Sequence, residues 1–144
     1  MKNILESWQL WAILSAVFAA FTAIFAKIGI KEINSDFATF IRTIVILIIL
    51  GVILFATNQF QSIQSISNKS LLFLILSGLA TGGSWICYFR ALKIGNASQV
   101  APIDKLSVVL VALFGVMILG EKLTATHWLG IFLIAVGAVI IAIK

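Results

Sequence analysis

A chain of 144 residues that is 62% hydrophobic and only 10% charged, with a mean hydropathy of +1.18, falls outside the water-soluble range of about 45–50% apolar and about 25% charged. The composition therefore predicts an all-α integral membrane protein set in a lipid bilayer. The net charge of +5 comes from basic residues scattered along the chain, which suits lysines flanking membrane spans and not a nucleic-acid surface. A single cysteine, Cys87, excludes a disulfide framework or a cysteine metal site within one chain.

A spanning helix needs about 20 mainly apolar residues, and the sequence supplies five such segments in one domain over residues 1–144: 8–28, 37–56, 71–92, 97–120 and 124–143. Trp8 and Trp11 anchor the start of the first at the interface. Lys2 ahead of an apolar run, with Ala19, Ala20 and Ala23 after it, invites a signal-peptide reading. The run exceeds the ~7–15 residues of a signal core, so a retained first helix is expected. The second span carries Arg42. A polar link, 57–70, rich in Asn, Gln and Ser, reads as a solvent loop before the third span. The third contains Gly82-Gly83 followed by Trp85 and Tyr88, which share a face. Adjacent glycines predict close approach of another backbone or a bend. The stretch 91–121 holds a polar hinge, the single proline Pro102, and Asp104-Lys105 at the head of a long apolar run. Glu121 and Lys122 close it as a surface pair or loop brace. His127 begins the fifth span without metal-ligand company. Gly130 and Gly137, a heptad apart, read as a packing seam.

At about 1.5 Å of rise per residue, Arg42, Trp85, Asp104 and Lys105 all fall roughly 7–12 Å deep from one side of the membrane. Charges there must pair or face a wet cavity. Two readings of Asp104 stand side by side: it pairs with Arg42 across helices, leaving Lys105 for a cavity, or it caps the fourth helix while Lys105 snorkels. Trp85 and Tyr88 form an aromatic wall. No nucleophile set, carboxylate pair or phosphate loop is visible, so no enzyme, metal or cofactor is expected. Lys27, Lys31, Arg90, Lys93 and Lys144 collect on one side and Lys2, Lys69 and Lys122 on the other. That bias favours an amino terminus outside and a carboxyl terminus inside, and is slight enough to permit insertion both ways. Ala26-Lys27-Ile28-Gly29 also echoes Leu92-Lys93-Ile94-Gly95, as a trace of repetition or as chance likeness between helix ends.

The runs Tyr88-Phe89-Arg90-Ala91-Leu92-Lys93-Ile94-Gly95, Ala101-Pro102-Ile103-Asp104-Lys105-Leu106-Ser107 and Leu119-Gly120-Glu121-Lys122-Leu123-Thr124, then Trp128-Leu129-Gly130 and Gly137, resemble the EamA-type domain of the drug/metabolite transporter superfamily. The match is densest over 71–144. The resemblance implies a five-helix unit, half of a ten-helix inverted-repeat transporter, and with one unit in the chain a homodimer, either antiparallel as in the small multidrug resistance proteins or parallel. The first-helix carboxylate of those proteins is missing here, which leaves Asp104 as the acid within a span for proton coupling. The implied activity is secondary transport, export of a small metabolite or amphipathic compound by alternating access in the cell membrane. Arg42, Trp85, Tyr88, Asp104 and Lys105 would bind substrate, and Gly130 and Gly137 would pack helices or the dimer. The rivals are a subunit of a lipid-linked sugar flippase and a non-transporting membrane subunit or assembly factor.

Overall fold

The computed structural model describes residues 7–143; Lys2 and Lys144, used in the charge comparison, lie outside them. The described chain is helical, with no strand, and it contains five helices long and apolar enough to cross a membrane. Helix α1 (Trp8–Gly29) starts where Ser7 Oγ accepts the Leu10 amide at 3.2 Å. Helix α2 (Ser35–Ala56) is capped by Asn34, whose Oδ1 accepts the amides of Asp36 and Phe37 at 2.8 and 3.2 Å. Asp36 adds a negative charge to the first turn, where the backbone dipole is positive.

A short 3₁₀ turn (Ile63–Ser65) lies in the polar link. Helix α3 (Asn68–Ile94) then begins earlier than the hydropathy alone suggests, because Ser67 Oγ accepts the Ser70 amide at 3.1 Å and nucleates the helix in polar sequence. Its 27 residues span about 40 Å, more than the ~30 Å hydrocarbon core, so its ends reach into the headgroups or it tilts.

The fourth span is broken. Helix α4 (Ala97–Asp104) and helix α5 (Ser107–Ile118) are separated at Lys105-Leu106. Pro102 has no amide to donate to Ser98, and its ring crowds that carbonyl. Beyond it the backbone tightens: Lys105 bonds back to Pro102, Leu106 to Ile103, Val108 to Lys105 and Val109 to Leu106, each an i→i−3 bond of 2.9–3.1 Å. Gly120, with φ +70, closes α5 by turning the chain in the left-handed region. The amides of Leu119 and Glu121 both return to the Gly115 carbonyl. Helix α6 (Ala125–Ala142) opens on a reciprocal cap: Thr124 Oγ1 accepts the His127 amide and His127 Nδ1 accepts the Thr124 amide.

The chain forms two compact units, one of residues up to Phe25 with Ile94 onward, the other Ala26–Lys93. In the first, α6 packs on α4 and α5. The second holds α2 and α3 with the turn between α1 and α2. No span has more than 11% of its apolar window enclosed, and the enclosed apolar residues are few: Ala23, Ile30, Ala38, Phe89, Leu92, Ala112 and Ala138. Surface this apolar belongs in hydrocarbon, where lipid replaces the core that a water-soluble chain would need.

Candidate functional site

In the Ala26–Lys93 unit, α2 presents Arg42 to an aromatic surface on α3. The guanidinium carbon lies 4.1 Å from the Trp85 ring centroid and 5.3 Å from that of Phe89. Phe89 is buried. Stacking satisfies the face of a guanidinium and leaves its N–H donors, which lie in the plane, still to be matched. Here Nη1 is buried and has no hydrogen-bond partner among the described residues. An unmatched donor on a buried cation is costly, and a ligand acceptor would remove that cost.

Trp85 also lines an open groove of about 620 Å³ between α2 and α3, together with Asp36, Thr39, Phe40, Thr43, Leu74, Ser77, Gly78, Thr81, Gly82 and Ile86. The three threonine hydroxyls are spent within their own helices: Thr39 on the Ser35 carbonyl, Thr43 on Thr39 and Thr81 on Ser77, at 2.8–2.9 Å. The groove wall is therefore apolar in effect, with one acid at its edge. Both oxygens of Asp36 accept from Arg90, from Nε at 2.9 Å and from Nη2 at 2.6 Å. This bidentate pair lies in the open, with the side chains 63% and 44% exposed.

Asp36 is the acid that sequence reasoning placed outside the spans. It belongs to the first turn of α2, so Asp104 is not alone as a carboxylate within a spanning helix. The signal was Asn34, a helix-starting residue just before it. Tyr88 sits edge-on to Phe89 with centroids 6.4 Å apart, and is not among the residues that line the groove. Neither Gly82 nor Gly83 is closely packed within the chain, since a methyl group placed on either would meet nothing within 4 Å among the described residues. Gly82 serves instead to open the groove.

In the other unit, Asp104 accepts from Lys105 Nζ at 3.2 Å. Consecutive side chains of a continuous helix point about 100° apart, which disfavours such a pair. The rule fails here because α4 ends at Asp104 and Lys105 lies in the break. Asp104 is also no cap for the helix that follows, since α5 begins at an uncapped Leu106. The Glu121 carboxylate occupies the space over Gly115, since its Oε2 would lie 2.7 Å from a methyl group there. Of the predicted residues, the structure thus joins Arg42 with Trp85 in one unit and Asp104 with Lys105 in the other. Gly130 and Gly137 have open space where a side chain would stand.

Comparison with known proteins gives these sites their setting. The family model described as the EamA-like transporter family matches residues 6–143. The chain is 59% identical over 138 residues, 96% of itself and 98% of the relative, to an uncharacterized transporter in the cobO 3′ region of a Sinorhizobium species. It is 32% identical over 133 residues, 92% of itself and 93% of the relative, to an uncharacterized protein of Methanocaldococcus jannaschii. Over 86 residues, 60% of itself and 76% of the relative, it is 30% identical to a probable 4-amino-4-deoxy-L-arabinose-phosphoundecaprenol flippase subunit, ArnE, of Hamiltonella defensa. No solved structure matches. With its five membrane-crossing helices and a family match across almost its whole length, this multi-pass membrane protein belongs to the EamA-like transporter family.

Proposed function

We propose that the protein is a secondary transporter that exports a small metabolite or amphipathic compound from the cell, working by alternating access as a homodimer in the cell membrane. The observation that carries this reading is the Arg42 guanidinium, stacked on Trp85 with a buried donor unmatched. Such a group binds the acceptor of a substrate whose apolar part lies against Trp85 and Tyr88. Asp104 and Lys105, held beside an interrupted helix, bind a polar end or carry the coupling proton, since freed backbone and charge at a helix break form the ion and substrate sites of many transporters. Two relatives are matched over 98% and 93% of their own length. Each of those relatives is therefore about the length of one such unit, which supports assembly from two copies.

The test is uptake of sulforhodamine B, an amphipathic probe whose sulfonate oxygens can accept from Arg42, into proteoliposomes under an imposed pH gradient. Arg42→Ala and Asp104→Asn are each expected to lower the initial rate by about tenfold, the loss of roughly 1.4 kcal/mol of binding or barrier stabilisation. Wild-type rates in both variants would sink the site assignment.

A second reading is favoured by the likeness to the ArnE flippase subunit. On it, the groove between α2 and α3 accepts the chain of a lipid-linked sugar and the protein acts with a different partner. Co-purification with a second, unlike membrane protein, with no sulforhodamine B uptake by the purified chain alone, would select that reading.

A further inference from the structure

The turn after α1 and the end of α3 are tied together by ammonium-to-carbonyl bonds that run both ways. Lys27, in the last turn of α1, donates from Nζ to the Leu92 carbonyl at 2.6 Å. Lys93, in the last turn of α3, donates from Nζ to the carbonyls of Ile30, Lys31 and Ile33 at 2.5, 2.7 and 3.0 Å. An ammonium has three N–H donors, so all those of Lys93 are used. The last carbonyls of a helix lack amide partners and carry partial negative charge; Lys27 meets such a carbonyl at Leu92 of α3, while Lys93 satisfies carbonyls of the turn that follows α1. These are the two lysines of the Ala26-Lys27-Ile28-Gly29 and Leu92-Lys93-Ile94-Gly95 echo; the likeness in sequence corresponds to a reciprocal contact. One turn back from Lys93, Arg90 holds Asp36 at the edge of the groove.

The same end of the unit is its most enclosed part. Ile30 and Leu92, whose carbonyls accept these lysines, are 2% and 0% exposed. Away from it, α2 and α3 leave the groove open. The fastening consists of hydrogen bonds from charged side chains, of which Arg90 and Lys93 lie at the surface and Lys27 is half-buried. Water can replace such bonds at small net cost, whereas interlocked apolar side chains have no such substitute. An attachment that is tight, polar and confined to one end is suited to being released and remade.

We propose that Lys27, Lys93 and the Asp36–Arg90 pair form a gate that closes the α3 end of the groove and opens during the transport cycle, an inference that rests on the alternating-access reading above. The lysines are positioning residues: they hold α3, and with it Trp85, in place against α2.

Because Cys87 is the single native cysteine, a Cys87→Ser, Ile30→Cys protein carries one thiol, at the enclosed centre of the gate. Its rate of reaction with a water-soluble maleimide in proteoliposomes reports opening without requiring a known substrate. Lys93→Gln in this background is expected to raise the rate by about fivefold, and Lys93→Arg, which keeps a charged donor, by less than about twofold. Sulforhodamine B with a pH gradient is expected to raise the rate by about twofold in the parent and to leave Lys93→Gln unchanged. Equal rates in the parent and Lys93→Gln overturn the gate, as does sulforhodamine B uptake by the parent with no change in its labelling. If Lys93→Gln does not fold, as judged by circular dichroism, Lys27→Gln breaks the clasp from the other side and is held to the same comparison. Transport is scored separately: a parent that accumulates no sulforhodamine B while Lys93→Gln still labels about fivefold faster keeps the gate and rejects the transport reading.

Discussion

Arg42 shows how much of a membrane site rests on one side chain. A cation at this depth is costly in hydrocarbon, and Trp85 and Phe89 offset part of that cost while leaving Nη1 unmatched. Trp85→Leu removes the larger ring face and should lower stability by about 1–2 kcal/mol, read as a lower Tm of the detergent-solubilised protein. Arg42→Lys should not restore transport, because an ammonium has no planar face to stack and no fixed fork of donors. Depth in the sequence was enough to put Arg42 and Trp85 in one layer, since helical rise converts residue number into distance. It was not enough for Asp36, which a hydropathy boundary drawn at Phe37 excluded although Asn34 marked an earlier start. Nor did it find the role of His127, which serves as half of a cap with Thr124. Thr124→Ala should lower stability by about 1 kcal/mol, again visible in Tm.

At the scale of the element, the interruption between α4 and α5 departs most from the sequence reading. The segment 97–120 is apolar enough to pass as one helix, and hydropathy has no means of registering a missing amide. Pro102 was visible, but the run of i→i−3 bonds from Lys105 to Val109 that follows it is a matter of backbone geometry rather than composition. The break explains why Asp104 and Lys105 can pair although adjacent in sequence. Pro102→Ala supplies the amide to Ser98 and removes the clash. Hydrogen exchange at the amides of Leu106, Val108 and Val109 should then slow by about tenfold as α-type bonds replace the tighter ones. If the break takes part in transport, the same variant should be more stable and slower in sulforhodamine B uptake. A variant that is both more stable and as fast as the parent would make the interruption a passive consequence of proline.

At the scale of the whole molecule, the question is how a single five-helix unit completes a transporter. The number and character of the spans were legible, because hydrocarbon demands long apolar helices and nothing subtler. Assembly is less so, since lipid-facing and partner-facing surfaces share one composition. Two observations bear on it. A methyl group on Gly130 or Gly137 would meet nothing within 4 Å, so neither glycine is used for close packing inside the described chain, and small residues on an open helix face let a second backbone approach. The basic residues that would orient the chain are also divided only slightly unevenly between the two sides, Lys27, Lys31, Arg90, Lys93 and Lys144 against Lys2, Lys69 and Lys122. Both fit two copies inserted in opposite senses and joined through α6. Gly130→Leu should then weaken self-association by about tenfold, roughly 1.4 kcal/mol, measured by energy transfer between labelled copies in vesicles, with the helix content of the chain unchanged. A carboxyl-terminal reporter should give signal on both sides of the membrane. A reporter confined to the cytoplasmic side, with association still lost in Gly130→Leu, would replace the antiparallel pair with a parallel one built on the same face.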